Sequence, residues 1–282
     1  MASNEGTFWE HLDVMRAAIL RALAVVAACA AVAFCLKEEL FGIVLAPRSS
    51  DFFVYRWIGA DDFSLHLMNT GLTEQFMTHI RVALYGGLLC ALPYVLFELF
   101  RFISPALYTN ERRAALWIVG SSYAMFALGV VVCYVLIFPL TVRFLGTYQV
   151  SPDVDNMLTL KSYVDTLITM SLMMGVVFEL PVVTTILGRM GFVNGTLMRQ
   201  YRRHAVVAIL VVAAIITPTT DVFTLCIVAL PIWLLYELSI LMVRSGKEES
   251  GKRKVESGKW KEESGKWKEE SGKRKVEKSK SI

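Results

Sequence analysis

Charge is scarce in this chain. Asp, Glu, Lys and Arg make up 19% of its 282 residues, while 55% are apolar and the mean hydropathy is +0.51. A soluble domain carries about 25% charged and about 45–50% apolar residues, so the surplus needs a solvent other than water. That excludes an ordinary cytosolic enzyme and a disordered chain. Cysteine is sparse as well. Cys29, Cys35, Cys90, Cys133 and Cys226 fall in or beside apolar runs with no C-x-x-C spacing, which leaves no disulfide framework or structural zinc site and makes them small buried hydrophobes. The four histidines, His11, His66, His79 and His204, have no H-E-x-x-H or C-x-x-H neighbourhood. No nucleophile–base pair, paired catalytic carboxylates or metal cluster is legible. An enzyme therefore finds no support, and no cofactor or metal is expected.

What charge there is sits unevenly. Residues 244–282 hold 14 of the 29 Lys and Arg against 8 of the 25 Asp and Glu, a net of +6; the first 243 hold 15 against 17, a net of −2. The chain divides accordingly into an apolar body, 1–243, and a basic tail, 244–282.

A helix rising 1.5 Å per residue needs about 20 apolar residues to cross roughly 30 Å of hydrocarbon. Six segments compete for that role. Ala17–Leu36 is broken only by Arg21, Val82–Phe100 contains Pro93 and Glu98, and Leu116–Leu140 carries no charge. Ser162–Gly188 contains Asp165 and Glu179, Ala205–Ile216 has twelve residues, and Val222–Val243 contains Pro231 and Glu237. The fifth reaches only about 18 Å, the length of a buried or interfacial segment. Loop charge keeps it as a span. With the N-terminus inside and all six crossing, the inner loops hold Arg101, Arg112 and Arg113, then Arg189, Arg199, Arg202 and Arg203, then the tail. The bias of Lys and Arg toward the inner side favours this N-in, C-in arrangement, whereas dropping the fifth span would put the basic tail outside. A short fifth helix implies local bilayer thinning.

The first span has a rival reading as a cleaved signal peptide, since Val26-Ala27-Ala28-Cys29 resembles a lipoprotein cleavage box. Glu5, Glu10 and Asp13 stand where such a signal needs a compact basic region, so it is kept as a span. The outer connection from Lys37 to His79 is long, and Phe41–Leu45, Phe52–Ile58 and Leu65–Met77 mix apolar with polar positions. It reads as a cap of short amphipathic pieces, with Phe52, Phe53, Tyr55 and Trp57 in an interfacial belt.

The tail repeats every seven residues: Glu249–Val255, Glu256–Glu262, Glu263–Glu269 and Glu270–Val276 each begin Glu-Ser-Gly-Lys. No apolar pair recurs to make a coiled-coil seam, so it reads as a solvated low-complexity extension whose Lys and Arg could reach anionic headgroups. Gly246 to Lys252 satisfies G-x-x-x-x-G-K, but Arg253 stands where Ser or Thr would hold Mg²⁺; the match is fortuitous.

Ionisable groups inside a bilayer cost about 2.5–3.5 kcal/mol each on insertion scales and normally face protein or water. Asp165 lies near the outer end of the fourth span. Glu179 is deeper, and Pro181 two residues later removes a backbone donor and predicts a kink. A carboxyl beside a kink has three readings: proton relay, docking point for another helix, or a group satisfied within its own bundle. The inner loop between spans two and three carries Glu111 as the lone carboxylate beside Arg101, Arg112 and Arg113. Taken alone, Glu111 is more simply a partner for these arginines than a ligand site.

The run Phe102-Ile103-Ser104-Pro105-Ala106-Leu107-Tyr108-Thr109-Asn110-Glu111-Arg112-Arg113 resembles the signature loop of TatC, the multispanning receptor of the twin-arginine protein translocase. Further matches follow in order: His11-Leu12 with Arg16, Ala46-Pro47 after the first span, Phe138-Pro139-Leu140 ending the third, Phe178-Glu179-Leu180-Pro181 in the fourth, and Thr217-Pro218 with Asp221-Val222-Phe223 before the sixth. The resemblance covers residues 8–243. It implies an all-α, cupped bundle of six transmembrane helices in the bacterial cytoplasmic membrane, with both termini in the cytoplasm. It also implies recognition of Arg-Arg signal peptides on folded precursors. By the same resemblance Glu111 takes the arginine pair with Phe102 nearby and Arg16 and Asp13 contributing. Glu179 and Pro181 meet single-span TatA/TatB-type partners, and Pro47, Pro105, Pro139, Pro218 and Asp221 are structural. Val14 stands where the family carries an acidic residue two before Arg16; Asp13 is one residue away, about 100° around a helix, and takes its place only in a segment that is not rigidly helical. Thr219 and Thr220 separate Pro218 from Asp221 and lengthen the outer turn.

The expected function is therefore that of a receptor subunit of a proton-gradient-driven translocase, partnered by further copies of itself, the lipid bilayer and the single-span subunits, with no nucleic acid. A secondary transporter is the alternative; it calls for repeated halves around a mid-membrane site, and no internal repeat is visible across the spans.

Overall fold

The computed structural model describes residues 3–49, 52–58, 65–107, 112–148, 157–189, 192–217 and 221–243. Helix α1 spans Ser3–Cys35, followed by α2 (Lys37–Leu45), a 3₁₀ turn (Ala46–Arg48) and α3 (Phe53–Ile58). Next come α4 (Glu74–Leu107) and α5 (Arg112–Val132), which continues through a π turn (Cys133–Ile137) into α6 (Phe138–Thr147). The chain ends in α7 (Leu160–Phe178), α8 (Leu180–Arg189), α9 (Gly195–Gln200), α10 (Arg202–Ile216) and α11 (Val222–Val243).

Among the described residues, five stretches are long and apolar enough to cross a membrane: Leu12–Cys35, Glu74–Arg101, Ile118–Thr147, Leu160–Gly188 and Val222–Val243. Helix α10 starts three residues earlier than expected, yet its 15 residues still cover only about 22 Å. The purely helical expectation needs one small correction. Strand β1 (Leu67–Met68) pairs in parallel with β2 (Leu158–Thr159), Leu67 opposite Leu158. The connection after α3 and the connection after α6 are thereby tied to each other.

Prolines act differently at two sites. Pro139 does not end the third span. The helix runs on through it: the Phe138 N–H bonds the Cys133 carbonyl five residues back, and the wider π turn just before Pro139 accommodates its missing donor. Pro181 does break its span: α7 stops at Phe178, and Glu179 donates its N–H to the Val176 carbonyl at 3.1 Å before α8 begins.

Lipid is as apolar as a leucine side chain, so helices in a bilayer associate through close packing. Two crossings supply it. A methyl group on Gly87 of α4 would lie 2.4 Å from the backbone nitrogen of Ala30 in α1. On α5, a Cβ on Gly129 would lie 2.8 Å from the Met174 carbonyl and the Phe178 Cβ of α7; one on Gly175 of α7 would lie 2.6 Å from the Phe126 ring. Around the second crossing the core gathers Cys133, Ile137, Phe138, Val164, Met170 and Met174, all fully buried. Phe138 meets Tyr163 edge-on, with ring centroids 5.0 Å apart.

Candidate functional site

The expected signal site falls partly outside the described residues. Glu111 and Pro218 lie outside them, as do the side chains of Phe102 and Pro105; the backbone of both latter residues belongs to the last turns of α4. Asp13 and Arg16 are exposed on α1, three residues apart. Because α1 is continuous from Ser3, Asp13 points about 100° away from Val14. It lies on a different face of α1 from Val14, which is 56% exposed.

Opposite charges in the first two spans meet. Arg21 donates from Nε to Glu98 Oε1 at 3.0 Å and from Nη2 to Oε2 at 3.4 Å, and the Tyr94 hydroxyl donates to Oε1 at 3.0 Å. The Glu98 side chain is 6% exposed and that of Arg21 49%. A buried carboxylate is tolerated when it is paired and hydrogen-bonded, and this one has three donors. The sequence displays both charges, but not that residues 77 apart pair.

At the α7–α8 break, Glu179 Oε2 accepts a hydrogen bond from Ser122 of α5 at 2.5 Å, while Oε1 is buried with no hydrogen-bond partner among the described residues. The bundle thus satisfies half of this carboxylate. Pro181 follows in the first turn of α8, and its carbonyl accepts from the Thr185 hydroxyl at 2.6 Å.

Three tyrosines build the outer cap. At the end of α2 the Ala46 N–H bonds the Ile43 carbonyl, and Pro47 supplies no N–H to continue the helix. The Tyr134 hydroxyl donates to the Ile43 carbonyl at 2.6 Å and that of Tyr163 to Val44 at 3.1 Å. The Tyr55 hydroxyl lies 2.8 Å from the Pro47 carbonyl and 3.0 Å from that of Pro139, so two of the expected structural prolines meet at one fully buried phenol. Burial raises the Tyr55 pKa well above the usual tyrosine value. Of the belt residues expected to sit in the interface, Tyr55 is instead a core residue.

Other polar groups fasten helix ends. Asp221 caps α11, its Oδ2 accepting from the Thr224 N–H at 2.7 Å. Glu74 at the start of α4 accepts from the Gly71 N–H at 2.9 Å and, through its other oxygen, from the Lys161 N–H of α7 at 3.3 Å. Asp165 pairs with Arg81 of α4, and Arg202 of α10 with Glu237 of α11 at 2.6 Å.

Long apolar helices in close contact, charges paired between them and polar caps at their ends define a multi-pass helical membrane protein. The sequence profile of the family described as Sec-independent protein translocase protein (TatC) matches residues 10–231. Similar proteins include the Sec-independent protein translocase protein TatC of Deinococcus radiodurans, 34% identical over 84% of this chain and 85% of that protein. That of Desulforapulum autotrophicum is 34% identical over 89% and 87%. A crystal structure of the twin arginine translocase receptor TatC superposes with a TM-score of 0.69 at 27% identity, covering 82% of this chain and 98% of that one. The chain belongs to the TatC family. It is a component of the Sec-independent protein translocase rather than an enzyme, and the transporter alternative is not favoured.

Proposed function

We propose that this chain is the receptor subunit of a twin-arginine translocase in a bacterial cytoplasmic membrane, binding Arg-Arg signal peptides of folded precursors for export driven by the proton gradient. The observation that carries this reading is Glu111, a lone carboxylate in a basic, aromatic inner loop of a TatC-family chain. Guanidinium groups make charge-assisted, often bidentate bonds to carboxylates, and Glu111 offers the acceptor for the pair. Phe102 gives the apolar surface beside it, and Arg16 and Asp13 contribute from the exposed inner end of α1, Asp13 from its own helical face.

Helix α10 is read as the fifth of six crossings, short enough to thin the bilayer around it, and six crossings from a cytoplasmic N-terminus bring the C-terminus back to the cytoplasm. Glu179, with Pro181 setting the break beside it, receives the polar group of a TatA/TatB-type single-span partner; its unpartnered Oε1 supports that role. Further copies of the chain complete the assembly, and the tail 244–282 is a solvated extension. Co-purification with an Arg-Arg signal peptide tests the reading: Glu111→Ala is expected to abolish capture, and undiminished capture overturns the site.

A further inference from the structure

The inner end of α1 has little apolar anchorage. From Leu12 to Leu23 the one buried side chain is Ala18, while Val14, Ile19, Leu20 and Leu23 are between half and two-thirds exposed. Toward the other end of α1, the Ala30–Gly87 crossing holds the helix against α4. Asp13 is 17 residues from Ala30, an arm of about 25 Å, so a 10° swing about that crossing moves it about 4 Å. Helices α1 and α4 lie side by side over much of their length, and the angle at the Asp13 end is set by the polar contact between them that lies nearest to it among the described residues.

Arg21 and Glu98 provide it, nine residues below Ala30 on α1 and eleven beyond Gly87 on α4. The pair is two-pronged, which restricts angle as well as distance, and Tyr94 holds the carboxylate from a second side. Glu98 lies one helical turn before Phe102 in the same unbroken helix, and Arg21 lies five residues after Arg16. We propose that the Arg21–Glu98 pair is a positioning device: it holds the α1 wall of the signal-peptide site, with Asp13 and Arg16, at a fixed angle to the α4 wall that leads to Glu111. Neither residue touches the cargo. The inference rests on the reading of Glu111 given above, and its own failure is separable from that one.

The test uses the full-length protein in lipid nanodiscs, a fluorescent Arg-Arg signal peptide, and a photo-crosslinking residue at position 12, one turn before Arg16 on the same face of α1. Arg21→Gln and Glu98→Gln are each expected to weaken binding about two- to thirtyfold, the range for changes that act on a site through intervening structure. Each is also expected to lower the crosslink yield from position 12. The exchange R21E/E98R restores the pair in reverse and is expected to recover both readouts. An exchanged protein that folds but binds as weakly as the single variants overturns the proposal. If the exchange does not accumulate in the membrane, R21Q/E98Q takes its place. Because both changes remove one shared interaction, its loss is expected to be no larger than that of the weaker single variant, and losses that multiply overturn the proposal. Glu111→Ala runs alongside. Wild-type binding there removes the site itself, whereas loss there with unchanged binding in the Arg21 and Glu98 variants removes only the positioning role.

Discussion

Ser122 of α5 donates a hydrogen bond to one carboxylate oxygen of Glu179 at the α7–α8 break, and the other oxygen of that carboxylate is buried without a partner among the described residues. Glu179 directly follows Phe178, whose Cβ would lie 2.8 Å from a Cβ on Gly129 of α5. Ser122→Ala strips Glu179 of its hydrogen bond and should cost about 1–3 kcal/mol. Thermal unfolding in detergent checks this. Ser122→Ala combined with Glu179→Ala should cost less than the sum of the two single changes, because the residues share one interaction.

Two glycines on α5 should respond in opposite ways. Nothing lies within 4 Å of a Cβ on Gly120, so Gly120→Ala should be neutral or stabilise by up to about 1 kcal/mol through helix propensity. Gly129→Ala drives a methyl into the Met174 carbonyl and Phe178, and should destabilise by about 1–3 kcal/mol. Equal melting temperatures for the two variants would dismiss the close crossing.

Tyr55 ties the cap to the third span. Tyr55→Phe leaves the Pro47 and Pro139 carbonyls without its hydroxyl and should cost about 1–2 kcal/mol. The pH dependence has a definite sign. The folded pKa lies above the unfolded value of about 10, so the folded state keeps its proton where the unfolded state loses it. The contribution is complete below pH 10 and is lost as pH rises beyond it. Denaturation between pH 9 and 11 should show a shallower decline in Tyr55→Phe than in the parent.

Asp221 starts the last span. Asp221→Ala removes the acceptor for the Thr224 N–H and should cost about 0.5–2 kcal/mol, with Asp221→Asn closer to the parent. Equal losses in the two variants would place the role of Asp221 elsewhere than in the cap.

The spans were legible because apolar runs of membrane length are a strong local signal, and so was the break at Glu179, since Pro181 removes a donor wherever it stands. Pro139 misled because a π turn accommodates it, and nothing in the residues around it announces that turn. Arg21 and Glu98 were visible as charges in apolar helices, but their pairing depends on which faces of α1 and α4 meet at Ala30 and Gly87. Tyr55 looked like an interfacial aromatic because its environment comes from Pro47 and Pro139, one near in sequence and the other 84 residues away. The signal loop stood out for the opposite reason: its chemistry lies in one contiguous run, Phe102 to Arg113.

The central claim is that Glu111 captures guanidinium groups. The direct measurement is the affinity of the purified protein for an Arg-Arg signal peptide in the parent and in Glu111→Lys, with a signal peptide carrying two glutamines as reference. Reversed charge at residue 111 should reduce binding of the Arg-Arg peptide to the level of the glutamine peptide. Full-strength binding to Glu111→Lys would contradict the account.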